Sequence, residues 1–341
     1  MSRTPKASQR TIAELANVSQ SAVSLVVSGR AEANRIPAET RIRIEQVIRE
    51  VGYVPNVAAR LLKGTRNGLI GVHTYERVFP VREDDYYHEF LVGIEEAAVT
   101  HGVDLVLFSS TLRDDGSRAV FTEGMNRLRL ADGSIFMGLA QDDDELAQLA
   151  RDGYPFVFIG RRTVGSDELT HVTADYAGGV AATIDALQAM GHRRINYVGT
   201  VERDDPHNER LRAYRDEMSS RSLDARVVTL VPSRIDNEWD DMLTAEPTAL
   251  MVETLELADA VATCADDRGL SIPADLSCVV LDTPSRSGAA SGWSSMALPK
   301  REMGAAALQL LQRCMDESIR PQPVTLPVST PGNETIAPPI N

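Results

Sequence analysis

Cysteine is scarce in this chain. Cys264, Cys278 and Cys314 stand far apart and are odd in number. That excludes a disulfide framework and a paired-cysteine zinc site, and fits buried thiols in a reducing, cytoplasmic compartment. Long apolar runs are also missing. None approaches the ~18 residues of a membrane helix, and the opening MSRTPKASQR has no apolar segment of the secretory kind, so no membrane partner is expected. No GxGxxG or GxxxxGK[ST] loop follows a strand-like run, no GxSxG elbow occurs, and the six histidines form no HExxH pair. No cofactor, metal or catalytic centre is therefore expected, and no enzyme. Gly178-Gly179 reads as an aid to helix–sheet packing, and His192 as part of a helix-to-strand turn.

What remains is ordinary globular material. The 341 residues suggest two domains, and 43% hydrophobic with 25% charged residues excludes collagen, coiled coil and bulk disorder. The net charge of -14 conceals a division: residues 1–66 carry 11 Lys/Arg against 5 Glu, a net +6, and the rest carries -20. A small basic module joined to a large acidic body is one reading; an uneven solvated surface is the other.

The basic segment reads as helices. Thr11 can cap a first helix, with Glu14 as its capping-box partner, and Ile12, Leu15 and Ala16 give it an apolar stripe. Asn17 suits the left-handed turn, and Ser19 can cap a second helix. Val23, Val26 and Val27 face inward, leaving Gln20, Ser21, Ser24 and Leu25 outside. Small polar residues and one Gln at an outer N-terminal end suit insertion into a major groove. A third helix spans about Ala38 to Val51, with Ile44, Val47, Ile48 and Val51 on one face, and Gly52 ends it. In YVPNVAARLLKG, Pro55 forces an extended start, Asn56 can cap, and Gly64 stops a short helix over Val57 to Lys63. So short a helix does not stand alone in water. It is either a linker or a helix that folds when supported. Its Leu61-Leu62 pair fits an apolar wedge in a minor-groove step.

From Gly68 onward apolar runs alternate with amphipathic stretches. LIGVHTY, VDLVLFSS, ADGSIFMG and YPFVFIGR read as buried parallel strands. Helices are expected over Tyr86 to His101, Asp115 to Arg127 and Asp143 to Arg151. HVTADY, RINYVG, ARVVTLV, PTALMV and LSCVVLD make a second round. A helix over about Pro299 to Met315 and strands near PVTLPVS and NETIAPP follow. Two rounds imply two doubly wound lobes, whose default ligand site is the cleft beyond the strands' carboxyl ends.

TIAELANVSQSAVS, then VVSG, IPAETRIRIEQVIREVGYVPNVAARLLKG and LIGV together resemble the LacI/GalR (lactose-repressor) family of bacterial transcription regulators. The resemblance implies an α/β chain: an all-α helix-turn-helix head over 1–54, a hinge helix over 55–66, and a periplasmic-binding-protein-like effector and dimerisation domain over 67–341. Its lobes would comprise about 67–165 with 298–325, and about 166–297 with 326–341. It implies that Gln20, Ser21 and Ser24 read bases or phosphates, with Arg35 as a loop contact. Leu62 would be the hinge wedge, Ala59 its minor-groove neighbour, and Thr11, Leu25 and Asn56 would complete the DNA-facing set. Leu25 stands where many members carry a base-reading Arg.

For the cleft, Arg210 in HNERLRAYRDEM matches the family's ligand-clamping Arg, and Asp282 in CVVLDTP the Asp at a strand end. The pair would grip a hydroxylated ligand; a surface ion pair or a cap is the alternative for each. Tyr86 and Tyr87 match the aromatic pair that opens the first effector helix, one of them being a core residue in the alternative reading. Arg161 lies toward the cleft by position, or else in a loop salt bridge. Trp239 is a packing residue or a stacking platform, and Asp175 an N-cap. Gly160 replaces an Asp of several sugar-binding relatives, and Thr254-Leu255 the common Asn-Asp. The expected function is a homodimeric, ligand-responsive regulator that binds pseudo-palindromic double-stranded operator DNA. It would repress carbohydrate-related genes and be released by a sugar or sugar derivative. A solute-binding transport protein, a sugar-processing enzyme and a corepressor-dependent regulator are the alternatives.

Overall fold

The computed structural model describes residues 8–27, 36–53, 66–75, 86–108, 112–113, 116, 118–138, 142–165, 167–283, 288–316 and 321–340. Arg35, Asn56, Ala59, Leu62 and the expected hinge helix lie outside these residues. The chain divides into two compact units, Met1–Asn67 and Gly68–Asn341.

In the first unit, α1 (Gln9–Leu15), α2 (Gln20–Val27) and α3 (Ala38–Glu50) enclose one small core. Ile12, Ala13, Ala16, Val23, Ile44 and Val47 are buried in it, with Val26, Val27, Ile48 and Val51 packed around them. The cap of α1 differs from expectation. Ser8, not Thr11, holds the N-cap, its hydroxyl accepting from Thr11 N at 3.2 Å. Thr11 then lies in the first turn, its own hydroxyl 3.0 Å from that of Ser8. Glu14 pairs with Arg10 at 3.2 Å instead of closing a capping box. A serine three residues upstream of Thr11 captures the same orphan amides, so the helix starts sooner. Asn17 takes the left-handed conformation at φ 49°, and Ser19 caps α2 by accepting from Ala22 N at 3.2 Å. Arg43 Nε donates to the carbonyl of Ala16 at 3.0 Å, tying α3 to the turn after α1.

The second unit contains two parallel sheets. The first has six strands: β1 (Leu69–His73), β2 (Asp104–Leu107), β5 (Gly133–Phe136), β6 (Phe156–Ile159), β9 (His171–Ala174) and β14 (Val324–Leu326). Their order is β14-β9-β6-β5-β1-β2. Ile70, Val72, Ile135 and Val157 share one core with α4 (His88–His101) and α10 (Lys300–Asp316). On the other face Phe136, Phe156 and Phe158 pack with Leu146 and Leu149 of α5 (Asp143–Arg151). Both faces are covered, so the strands read as continuous apolar runs. Helices α4 and α10 pack in close contact. A Cβ at Gly93 would meet the carbonyl of Arg301, and one at Gly304 would meet that of Phe90. Two glycines thus let two backbones touch.

The expected helix over Asp115 to Arg127 is not formed. Among the described residues, Leu112 bridges Arg118, and β3 (Phe121–Thr122) pairs antiparallel with β4 (Met125–Asn126). The carboxylate of Glu145 accepts from Val120 N at 2.8 Å and Phe121 N at 3.3 Å, replacing helical bonds with a tertiary one. Glu123 at φ 51° and Gly124 at φ 76° make the turn. A small antiparallel pair, β7 (Thr163–Val164) and β8 (Asp167–Glu168), precedes β9.

The second sheet has the order β11-β10-β12-β13, built from β10 (Ile195–Thr200), β11 (Arg226–Leu230), β12 (Ala249–Val252) and β13 (Ser277–Val280). It is accompanied by α6 (Tyr176–Ala189), α7 (Asp205–Ser220), the short α8 (Trp239–Met242) and α9 (Leu255–Asp267). HVTADY does not open this sheet. Its strand, β9, pairs with β6 and β14 in the first sheet, so a lobe boundary at 166 is displaced. NETIAPP forms no strand, yet it seals β13: Cys278 N donates to Thr335 O at 3.0 Å and Ser277 Oγ to Ala337 O at 3.1 Å. Trp239 packs in the second sheet's core, with the Arg268 guanidinium 5.0 Å from its ring centre. Among the described residues no helix is long and apolar enough to cross a membrane.

Candidate functional site

Gln20 and Ser21 are exposed in the first turn of α2, beside the Ser19 cap, and offer polar groups outward. Ser24 and Leu25 are half-buried one turn later, not left outside as the periodicity alone suggested. Thr11 is exposed in the first turn of α1.

In the second unit, the carboxyl ends of the first sheet open onto a narrow cleft of about 30 Å³. Met137 and Gly138 follow β5, Ile159 ends β6 and Gly160 follows it, Tyr86 and Tyr87 lie just before α4, and Phe90 is in its first turn. Tyr176, the first residue of α6, closes another side. The Tyr86 and Tyr87 rings meet edge-on at 5.2 Å. Aromatic faces of this kind suit the apolar faces of a sugar ring.

Behind Tyr86 and Tyr176 lies a buried charged group. Arg210 is 3% exposed and arrives on α7. One of its terminal nitrogens donates to Leu281 O at 2.6 Å, its guanidinium lies 5.4 Å from the Tyr176 ring centre, and its Nε has no acceptor among the described residues. Asp282 follows β13, and its carboxylate accepts from Thr283 N at 2.6 Å. Lys300, at the start of α10, places Nζ 3.4 Å from Asp282 Oδ1 and 3.8 Å from the Tyr86 ring centre. Burial pushes the Tyr86 hydroxyl well above the usual phenol range, and Tyr176 and Asp282 add to the rise. Burial likewise lifts Tyr176 to about 12, with Arg210 opposing. Desolvation would lower Arg210, but Tyr176 and Asp282 hold it above its ordinary value. All three phenol and guanidinium groups thus keep their donor protons at neutral pH. The structure therefore brings Tyr86, Tyr87, Arg210 and Asp282 together from separate segments.

A second buried network lies where β10 and β12 meet. The Glu253 carboxylate is 0% exposed and accepts from the Tyr197 hydroxyl, from Thr200 N at 2.8 Å and from two Arg203 nitrogens at 2.8 and 3.1 Å. Arg203 also donates to Asn208 at 3.1 Å and bonds His207 O, so the network holds the first turn of α7. Asp204 caps that helix by accepting from His207 N at 2.9 Å. Thr254 caps α9 and Asp175 caps α6, accepting from Gly178 N at 2.9 Å.

Arg161 takes the alternative role. It is 46% exposed and pairs with Glu168 at 3.2 Å and Glu209 at 2.8 Å, outside the cleft. Its neighbour Arg162, 3% exposed, lines the cleft instead. Residues alternate sides in an extended segment, and nothing in GRR distinguishes which guanidinium turns inward. Lys300 had a signal that went unread. A lysine in the first turn of a helix opposes the macrodipole, which implies a tertiary partner. Tyr176, a ring directly after a cap, carried none. Among the described residues no group of three or more His, Cys, Asp or Glu is placed to hold a metal.

Residues 10–56 match the model of bacterial regulatory proteins of the lacI family, and residues 184–332 match that of a periplasmic binding protein-like domain. Catabolite control protein A of Priestia megaterium is 27% identical over 328 residues, covering 93% of this chain and 95% of the relative. The HTH-type transcriptional regulator CelR of Thermobifida fusca is 27% identical over 276 residues, covering 80% and 77%. Among solved structures, the lac repressor dimer bound to operator and the anti-inducer ONPF superposes with a TM-score of 0.72 at 20% identity, covering 97% of this chain and 99% of that one. The CelR–cellobiose complex gives 0.62 at 21% identity, covering 95% and 98%. Both structures share this fold, and both matched family models fall on the elements described above: the chain belongs to the lacI family of bacterial regulatory proteins.

Proposed function

We propose that this protein is a sequence-specific, DNA-binding repressor of carbohydrate-related genes, released by a small sugar-like effector. The observation that carries the effector half is the convergence of Tyr86, Arg210, Asp282 and Lys300, from four separate segments, beside an aromatic cleft. A buried guanidinium and a buried carboxylate form a donor–acceptor pair for hydroxyls, and the tyrosine rings supply apolar faces. The CelR–cellobiose structure lends this reading support. For the DNA half, Gln20 and Ser21 are the exposed residues in the first turn of the second helix. Arg35, Asn56, Ala59 and Leu62 join them as proposed contacts. A homodimer would bind a two-fold symmetric operator. Effector binding would favour one arrangement of the lobes through its differential affinity.

The test is selection from a random duplex library at moderate salt, without effector. A two-fold symmetric site should be enriched. Release from that site by sugars is then measured for wild type and Arg210→Ala. Arg210→Ala should keep the operator and lose the release. Normal release from the variant removes Arg210 from the site, and absence of any enriched sequence counts against the DNA-reading role.

A further inference from the structure

Arg161 and Arg162 follow the end of β6, in the first sheet, and both reach α7, a helix of the second. Arg161 Nε lies 2.8 Å from Glu209 Oε1, and an Arg162 terminal nitrogen lies 3.9 Å from Asp205 Oδ2. Asp205 and Glu209 are one helical turn apart, so they share a face of α7. Glu168, in β8, steadies Arg161 from its own side at 3.2 Å. Arg162 is held in turn by the carbonyls of Arg161 and Gly138, at 2.6 Å each. Arg161, Thr163, Asp205 and Glu209 also line an open groove of about 520 Å³. The lobes therefore meet here through side-chain tips reaching across solvent. Burial raises the Glu209 carboxyl above its usual range, and Arg161 opposes that rise.

The turn of α7 that carries these acids also forms part of the cleft wall. Pro206 lines the cleft, and Arg210 directly follows Glu209. On the facing side Ile159, Gly160 and Arg162 line it from the end of β6. The span of these ionic links therefore sets the width of the cleft. At about 30 Å³ the cleft admits about two waters. A sugar ring needs more, so the lobes must part before one enters. We infer that Arg161 and Glu209 form an ionic clasp between the lobes, which favours the narrow cleft and which effector binding must break. A ligand shifts such an equilibrium only through its differential affinity, and whatever favours the narrow state lowers the apparent affinity accordingly. The clasp thus sets the effector concentration at which the regulator responds. This inference rests on the effector-cleft reading above.

The experiment is calorimetric titration of the full chain with a panel of uncharged hexoses and disaccharides, each also tested for release of the selected operator. Arg161→Gln and Glu209→Gln should each bind the active sugar about two- to fivefold more tightly than wild type, the scale of one partly exposed ion pair. They should release the operator at correspondingly lower sugar concentrations. The double variant should match the single ones, since both substitutions remove the same link. Raising salt from about 0.05 to about 0.5 M should tighten binding to wild type and leave the variants little changed. Unchanged or weaker affinity in the single variants, or effects that multiply in the double variant, overturns the clasp and leaves the effector reading standing. If no sugar binds wild type, the effector reading falls, and the clasp is decided in the chain alone. Spin labels on Asp144→Cys in α5 and Ser219→Cys in α7, both exposed positions, then report the lobe separation in a Cys314→Ser background. Arg161→Gln should lengthen or broaden that distance, and an unchanged distribution overturns the clasp.

Discussion

His73 ends β1 with 0% exposure, and neither ring nitrogen has a hydrogen-bond partner among the described residues. The rings of Tyr75 and Phe136 meet it edge-on, each at 5.1 Å. Burial, with help from the Arg118 charge, lowers its pKa from 6.5 to about 4. The folded state therefore holds the ring neutral while the unfolded chain takes up a proton near pH 6.5. Stability from this site is complete above pH 6.5 and is lost as pH falls toward 4. At about 1.4 kcal/mol per pH unit, the fall is worth about 3 kcal/mol. In a unit of this size that is roughly 6 °C in melting temperature. His73→Phe keeps a flat ring and removes the titration. Melting curves of wild type and His73→Phe across pH 7.5 to 4 should converge or cross as wild type alone gives up this increment. Histidine NMR should find one imidazole that stays neutral down to about pH 4. A difference between the two proteins that is flat with pH, or a His73 resonance titrating near 6.5, refutes the reasoning.

Other substitutions test other parts of the molecule. Glu253→Gln leaves Arg203 without its carboxylate and should cost about 3 kcal/mol in chemical denaturation, with effector affinity falling as the first turn of α7 loosens. Gly304→Ala drives a methyl into the Phe90 carbonyl and should destabilise the second unit by about 2 kcal/mol, leaving the melting of the head untouched. Leu62→Ala should weaken specific operator binding in a mobility-shift assay while calorimetry finds effector affinity unchanged; an unaltered operator affinity removes the wedge.

The fold was legible wherever local pattern and tertiary demand agreed. Apolar runs such as LIGVH and FVFI can only be buried strands, and Asp175 or Ser19 before a helical stretch can hardly avoid capping it. Thr11 shows the limit of that reasoning, since Ser8 offered the same chemistry one turn earlier. The 115–127 stretch failed for a non-local reason: Glu145, far along the chain, binds the amides a helix would have used. Sheet membership of His171–Ala174 was equally hidden, because a buried parallel strand looks the same in either sheet. In the cleft, Arg210 and Asp282 were found through resemblance, and the structure sets them near each other. Tyr176 and Arg162 were missed because burial of a lone polar side chain leaves almost no trace in its neighbours, whereas Lys300, set against the helix dipole, carried a signal that went unread.

The weaving of the body has a consequence for its synthesis. The first sheet gains its last strand, β14, from residues 324–326, after the chain has built all of the second sheet. The second sheet's outer strand is then sealed by residues 335–337. The first sheet is not a contiguous segment, and the second, though contiguous, is unsealed until residues 335–337 arrive, so neither is finished until those residues have left the ribosome. Until then β9 presents a bare edge on the side β14 will occupy, and β13 lacks its seal. Such edges invite pairing with other chains. The nascent body is therefore most exposed to misassembly just before residues 324–337 emerge, and truncations ahead of them should aggregate rather than yield a folded lobe.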